Sequence, residues 1–256
     1  MGRVYRTKTY NIPEAGRTAK GTPVVNIIEK SPEEKISEII PVKEFSDNEY
    51  LVMVTKNGII KKTPASEYES IRKSGKIAIT LKEGDELISI FKTTGNDNIF
   101  LATRNGMAIC FNENDARAVG RTASGVKAID LADGDYVVGA EPVREDSKVL
   151  LVTDGGYGKC TDLTSFRIQH RGGKGLKAYK ITEKTGNIIG ISMVNDSEEL
   201  IMVTSEGVVI RIRIKDIATT TGRITQGVRL INLDDGVTVV SMDKISAEDA
   251  VEEESE

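Results

Sequence analysis

Seven consecutive residues, Gln169-His170-Arg171-Gly172-Gly173-Lys174-Gly175, combine three glycines with an arginine, a lysine and the chain's single histidine. Glycines let a backbone turn tightly and approach another surface closely. Cationic side chains and backbone N–H groups at such a turn suit an anion, above all a phosphate. The chemistry indicated is binding rather than bond-making. A lone histidine cannot build a two-histidine metal site or a triad that needs a second one. No P-loop is present, and none of the seven tyrosines has a nucleophile's setting. The chain is expected to catalyse nothing by itself and to carry no metal or cofactor.

The arrangement recurs in weaker form. Arg17, Arg121, Arg171 and Arg223 stand four residues before Gly21, Gly125, Gly175 and Gly227, and Arg72 stands three before Gly75. These glycines are 54, 50, 50 and 52 residues apart. Lys20, Lys73, Lys76, Lys127, Lys174, Lys177 and Arg229 flank them. A second basic set, Arg6, Lys61, Lys62, Lys159, Arg211 and Arg213, falls on a strand after an earlier turn; Met107-Ala108-Ile109-Cys110-Phe111 lacks it. One isolated arginine more often solubilises a loop than binds. An arginine repeated in register predicts a positive strip suited to a phosphate backbone. No spacing suggests a helix reading base edges in a groove. Trp is absent and aromatics are sparse, which argues against stacking on single-stranded bases.

The elements that must position these groups also repeat. Leu51-Val52-Met53-Val54-Thr55-Lys56-Asn57-Gly58 has counterparts ending at Gly106, Gly156 and Gly207, spaced 48, 50 and 51 residues apart. Each is an apolar strand, a threonine and a turn closed by glycine. Asn-Gly between apolar runs predicts a type I′ hairpin, with positive φ at both central residues. A second strand follows, then the basic glycine, an alternating strand, another turn and a closing strand. Each unit therefore reads as four short strands. Gly2-Arg3-Val4-Tyr5-Arg6 matches the residues after the first turn, so the chain is expected to open inside a unit whose first strand is missing. Four-stranded units at this period predict an all-β, propeller-like array of radial blades over residues 1–245, about five with the first incomplete. A linear solenoid would have shorter and more regular rungs.

The 256 residues carry a formal charge of −4, which looks wrong for a partner of nucleic acid. Residues 248–256 hold six acidic groups and no basic one, and without them the remainder carries +2. The stretch 246–256 reads as a solvated, disordered acidic tail. Cys110 and Cys160, 50 residues apart at equivalent places, read as ordinary strand residues in a reducing compartment. No apolar run reaches membrane-spanning length and no signal peptide opens the chain. A cytoplasmic, nucleoid-associated protein with no membrane partner is expected.

Gly2-Arg3-Val4-Tyr5-Arg6, Ile12-Pro13-Glu14-Ala15, Arg17-Thr18-Ala19-Lys20-Gly21, Thr225-Gln226-Gly227-Val228 and the repeat register resemble the C-terminal domain of the DNA gyrase A subunit. The resemblance runs to about Asp243. It implies a β-pinwheel, a propeller relative whose blades exchange strands. It further implies that duplex DNA is bound and wrapped on the outer rim, without sequence specificity. The partners implied in the intact enzyme are gyrase B and the rest of the gyrase A subunit, which together supercoil DNA with ATP. The family's catalytic tyrosine and metal-binding residues belong to other domains. Its signature heptad is Gln, basic, Arg, Gly, Gly, basic, Gly in the first blade. Residues 169–175 match it except that His170 fills the first basic place, and the repeat count puts them in a fifth blade. The first blade is expected to lie outside this chain, so the heptad here is a secondary copy that holds DNA without setting the wrap. Two other readings fit the same residues: the corresponding domain of topoisomerase IV, and a protein-binding propeller with an incidental basic rim.

Overall fold

The computed structural model describes residues 2–16 and 18–246. The acidic run 248–256 and Arg17 lie outside the described residues. Strand β1 (Arg3–Val4) opens the chain. The first full unit supplies β2 (Tyr50–Thr55), β3 (Ile59–Pro64), β4 (Lys76–Ile77) and β5 (Leu87–Thr93). The second supplies β6 (Asn98–Thr103), β7 (Met107–Asn112), β8 (Val126–Lys127) and β9 (Val137–Pro142). The third supplies β10 (Lys148–Thr153), β11 (Tyr157–Asp162), β12 (Leu176–Lys177) and β13 (Ile188–Val194). The last supplies β14 (Glu199–Thr204), β15 (Val209–Arg213), β16 (Thr219–Thr220), β17 (Val228–Arg229) and β18 (Val239–Ile245). Short 3-10 turns are the only helical elements among the described residues.

The strands form four blades. Their orders are β5-β2-β3-β8, β9-β6-β7-β12, β13-β10-β11 with β16 and β17, and β18-β14-β15, preceded by a β1-β4 ribbon. In the first three blades the outermost strand comes from the following unit, whereas the last blade ends on its own β15. Short strand β8 of the second unit pairs with β3 of the first, β12 of the third with β7 of the second, and β17 with β11. At the other edge the closing strands β5, β9, β13 and β18 pack successively on one another and mark the axis. The core lies between blades. Val52 and Val54 face Ile99, Leu101 and Ile109 of the next blade, and Phe100 and Ala108 face Val149 and Leu151 of the one after. Central strands are thus buried on both faces, which is why they read as unbroken apolar runs instead of alternating.

The hairpin turns are not of type I′. Gly58 and Gly106 have φ of +76° and +86°, but Asp146 is the one described non-glycine with positive φ, so Asn57 and Asn105 stay on the negative side. The Gly58 N–H donates to the Thr55 carbonyl at 3.0 Å. That is a three-residue loop, a type I turn closed by a left-handed glycine. The bulge leaves the next N–H unpaired in the ladder, and the recurring threonine takes it. Ile59, Met107, Tyr157 and Val208 donate to the hydroxyls of Thr55, Thr103, Thr153 and Thr204 at 3.1–3.2 Å.

Candidate nucleic-acid interface

Three of the basic loops are pinned at both ends to the second strand of the preceding blade. Lys62 bridges Ala118 in parallel while Ile60 pairs with Val126; Cys110 bridges Ile168 while Ala108 pairs with Leu176; Cys160 pairs with Thr219 while Gly158 pairs with Val228. Between the pins the chain bulges outward, away from the axis. The recurring second glycine belongs to this anchoring. A Cβ at Gly125, Gly175 or Gly227 would collide with the carbonyl oxygen of Ile60, Ala108 or Gly158, and all three have positive φ.

Successive loops are linked by hydrogen bonds. Thr80, leaving one short strand, meets Thr122 and Ala123 through its hydroxyl and N–H. Ala128 and Asp130 meet Gly172 and Gly173; Lys180 meets Thr225, and the Tyr179 hydroxyl donates to the Gln226 carbonyl at 2.5 Å. The loops of residues 118–125, 168–175 and 219–227 therefore follow one another along one edge. Lys20, Arg72, Lys73, Lys127, Gly173, Lys174, Lys177 and Arg229 are exposed, while Lys76, Arg121, Gln169, Arg171, Gly172, Gly175 and Arg223 are half-buried. Lys127 is partly neutralised by Asp130 at 2.7 Å, and Arg229 donates to Asn232 and Tyr157.

The heptad is held by residues of the preceding unit. Arg171 donates through Nε to the Asp115 carbonyl at 2.8 Å and through Nη1 to the Lys127 carbonyl at 2.9 Å. Its backbone N–H reaches the Asp115 carboxylate, which also lies 3.3 Å from His170 Nδ1. His170 itself is almost fully exposed.

The second basic set departs from a free cationic strip. Lys61, Lys62 and Lys159 are buried, because the short strand and loop of the next blade cover the strand that bears them. Lys61 donates to the carbonyls of Ala78 and Arg121, and Lys159 to those of Gly222 and Arg223. Lys62 is paired with buried Glu113 at 2.8 Å. Arg6 donates to the Glu69 carbonyl and lies over the Phe45 ring at 4.6 Å. Arg211 is paired with Glu199, and Arg213 with Asp216 at 2.8 Å. Direct phosphate contact by Lys61, Lys62 or Lys159 is therefore set aside. Two exposed arginines not singled out above, Arg117 and Arg167, lead into the loops of residues 118–125 and 168–175. They stand eight residues before Gly125 and Gly175, so the 50-residue register held the signal.

Burial pushes the Cys110 and Cys160 thiols up to about 11, as for inert interior cysteines. Among the described residues no three His, Cys, Asp or Glu side chains gather as metal ligands. No helix there is long and apolar enough to cross a membrane.

An all-β propeller whose first three blades each take their outer strand from the following repeat is a β-pinwheel repeat domain. The chain belongs to the family described as "DNA gyrase C-terminal domain, beta-propeller", whose signature matches residues 2–43, 49–94, 97–144, 147–195 and 198–246. It is 55% identical over 255 residues to the DNA gyrase A protein of Halalkalibacterium halodurans, covering 100% of this chain and 30% of that protein. It is 50% identical over 249 residues to that of Clostridium acetobutylicum, covering 97% of this chain and 30% of that one. The chain thus spans about a third of the curated relatives it matches. Among solved structures, the C-terminal domain of DNA topoisomerase IV superposes with a TM-score of 0.90 at 28% identity, covering 100% of this chain and 82% of that one. The DNA gyrase A C-terminal domain superposes with a TM-score of 0.80 at 25% identity, covering 95% and 79%.

Proposed function

We propose that this chain binds duplex DNA without sequence specificity along the line of basic loops and bends it. In this reading it serves as the non-catalytic C-terminal domain of a DNA gyrase A protein. There, with gyrase B and the rest of gyrase A, it supports ATP-dependent negative supercoiling. The observation that carries the reading is the hydrogen-bonded succession of loops bearing Arg121, Arg171, Arg223 and their flanking lysines on one edge. A line of cationic loops can meet successive phosphates of a duplex, and backbone contacts carry no base information. The test is affinity for two unrelated duplexes as salt is raised. Each neutralised phosphate contributes about −0.9 to the slope of log K on log salt. A steep slope shared by both duplexes is expected. A shallow slope, or affinity for only one sequence, would favour a protein-binding propeller. The topoisomerase IV superposition supports a second assignment of the same domain. The intact enzyme separates the two: introduction of negative supercoils into relaxed DNA is expected of gyrase.

A further inference from the structure

Lys61 and Lys159 sit at the same place in alternate blades, on the second strand, midway between the two pins of the following loop. Both side chains are buried. Each amine turns outward into that loop and donates to the carbonyl of its arginine: Lys61 to Arg121 at 2.6 Å and to Ala78, Lys159 to Arg223 and, at 3.3 Å, to Gly222. Lys159 also lies 5.4 Å from the Tyr179 ring. The intervening blade has buried Ile109 at the equivalent place. In its loop the holding is done by Arg171, whose guanidinium bonds two backbone carbonyls. Where a lysine holds the loop, the arginine side chain is not used in that way. Arg121 only approaches Glu67, at 3.5 Å, and the half-buried Arg121 and Arg223 keep one buried guanidinium nitrogen each, Nε and Nη1, without a hydrogen-bond partner among the described residues, so each side chain must swing outward to meet phosphate.

We propose that Lys61 and Lys159 are positioning residues of the DNA interface: each holds, from one blade, the basic loop of the next, and so leaves Arg121 and Arg223 to meet phosphate. A buried amine makes a suitable latch because charge-assisted bonds to carbonyls are strong and a buried cation without them is costly. The inference rests on the binding mode proposed above and adds a wiring diagram to it. Lys61 acts through Arg121 alone, and Lys159 through Arg223 alone.

The test is a pair of double-mutant cycles on duplex affinity. Lys61→Met should weaken binding by about three- to tenfold, on the order of one phosphate contact. That loss should vanish in an Arg121→Ala background and persist in an Arg223→Ala background. Lys159→Met should show the mirror pattern. A loss of the same size in both backgrounds, or no loss while the arginine variants do weaken binding, would overturn the inference and leave the binding mode standing. Arginine variants without effect would instead defeat the binding mode. Should a methionine variant fail to fold, the unsubstituted protein carries the test through NMR titration of the two amines. Lys61 faces Arg121, Glu67 and Tyr68, and Lys159 faces Arg223 and Tyr179. If the charged amines favour the bound loop, duplex binding must favour their protonation. Their midpoints should then rise on binding, and unchanged midpoints would overturn the assignment.

Discussion

Lys61 and Lys159 also make stability depend on pH. Burial pulls both amines down to about 8, and the facing Arg121 or Arg223 guanidinium adds to it. In the unfolded chain they return to about 10.4. Below pH 8 both states are protonated, and the fold carries the full penalty of two buried charges. Between about 8 and 10.4 the folded state releases protons first, so stability rises with pH. The buried Cys110 and Cys160 thiols, pushed up to about 11, oppose this rise above about 8.5, where unfolded thiols ionise first, and the tyrosines close the window. Tyr68, pushed up to about 12, and Tyr179, pushed up further, stay neutral in the fold after unfolded tyrosines begin to ionise near 10. The urea midpoint should therefore be higher at about pH 8.5–9 than at about pH 7.5, and in the Lys61→Met, Lys159→Met double variant the rise should give way to a fall, since only the thiols then titrate. A second contrast concerns the heptad. Lys174 is exposed, so Lys174→Ala should shallow the salt slope by about 0.9 and leave the melting temperature unchanged. Arg171→Ala removes the bonds to the Asp115 and Lys127 carbonyls and should lower the melting temperature as well. Equal thermal effects of the two substitutions would contradict these roles. Sequence register brought both residues to notice. It could not separate a cation that faces solvent from one that folds back onto a neighbour's carbonyl, because that depends on which strand lies above it.

Among the elements, the exchanged strand and its loop are what join one blade to the next. The ion pair Lys62–Glu113 crosses the same joint, with both partners buried. The Glu113 carboxylate also accepts from the Thr93 hydroxyl at 2.8 Å and from the N–H groups of Gly95 and Asp97 at 2.9 and 2.8 Å. Glu113→Ala would leave a buried ammonium with only the Asn114 Oδ1 at 3.3 Å and would strip two loop N–H groups of their acceptor. It should cost about 3–5 kcal/mol in denaturant unfolding; a loss under about 1 kcal/mol would show that solvent reaches the site. The repeat spacing, the strand count and the glycine turns were legible in the sequence because each leaves a local mark. The type I′ assignment failed at Asn57 and Asn105 because Asn-Gly also serves a three-residue loop, and the threonine two places before the asparagine was the clue to it. The pairing of Val126–Lys127 with the previous blade has no local mark. A two-residue strand pairs as well with its own unit as with a neighbour's, and only the resemblance to a known family pointed to exchange.

At the scale of the whole molecule, the blades turn a linear repeat into an arc of loops. On the proposed binding mode, several modest contact sites act together, each raising the effective concentration at the next. Bending a duplex over roughly 20–30 bp costs on the order of 1–6 kcal/mol, which the added contacts must offset. The formal charge of −4 gives no hint of this, since charge matters here by its placement along one edge. The most direct test is fluorescence energy transfer between the two ends of a duplex of roughly 30 bp, with and without saturating protein. Binding and bending along the loops predicts that the ends draw together to the same degree for unrelated sequences, and that this is lost when Arg121, Lys127, Lys174, Lys177 and Arg223 are replaced by Ala in a chain that still folds. Ends that keep their free separation when protein is bound, or a bend untouched by those five replacements, would contradict the account.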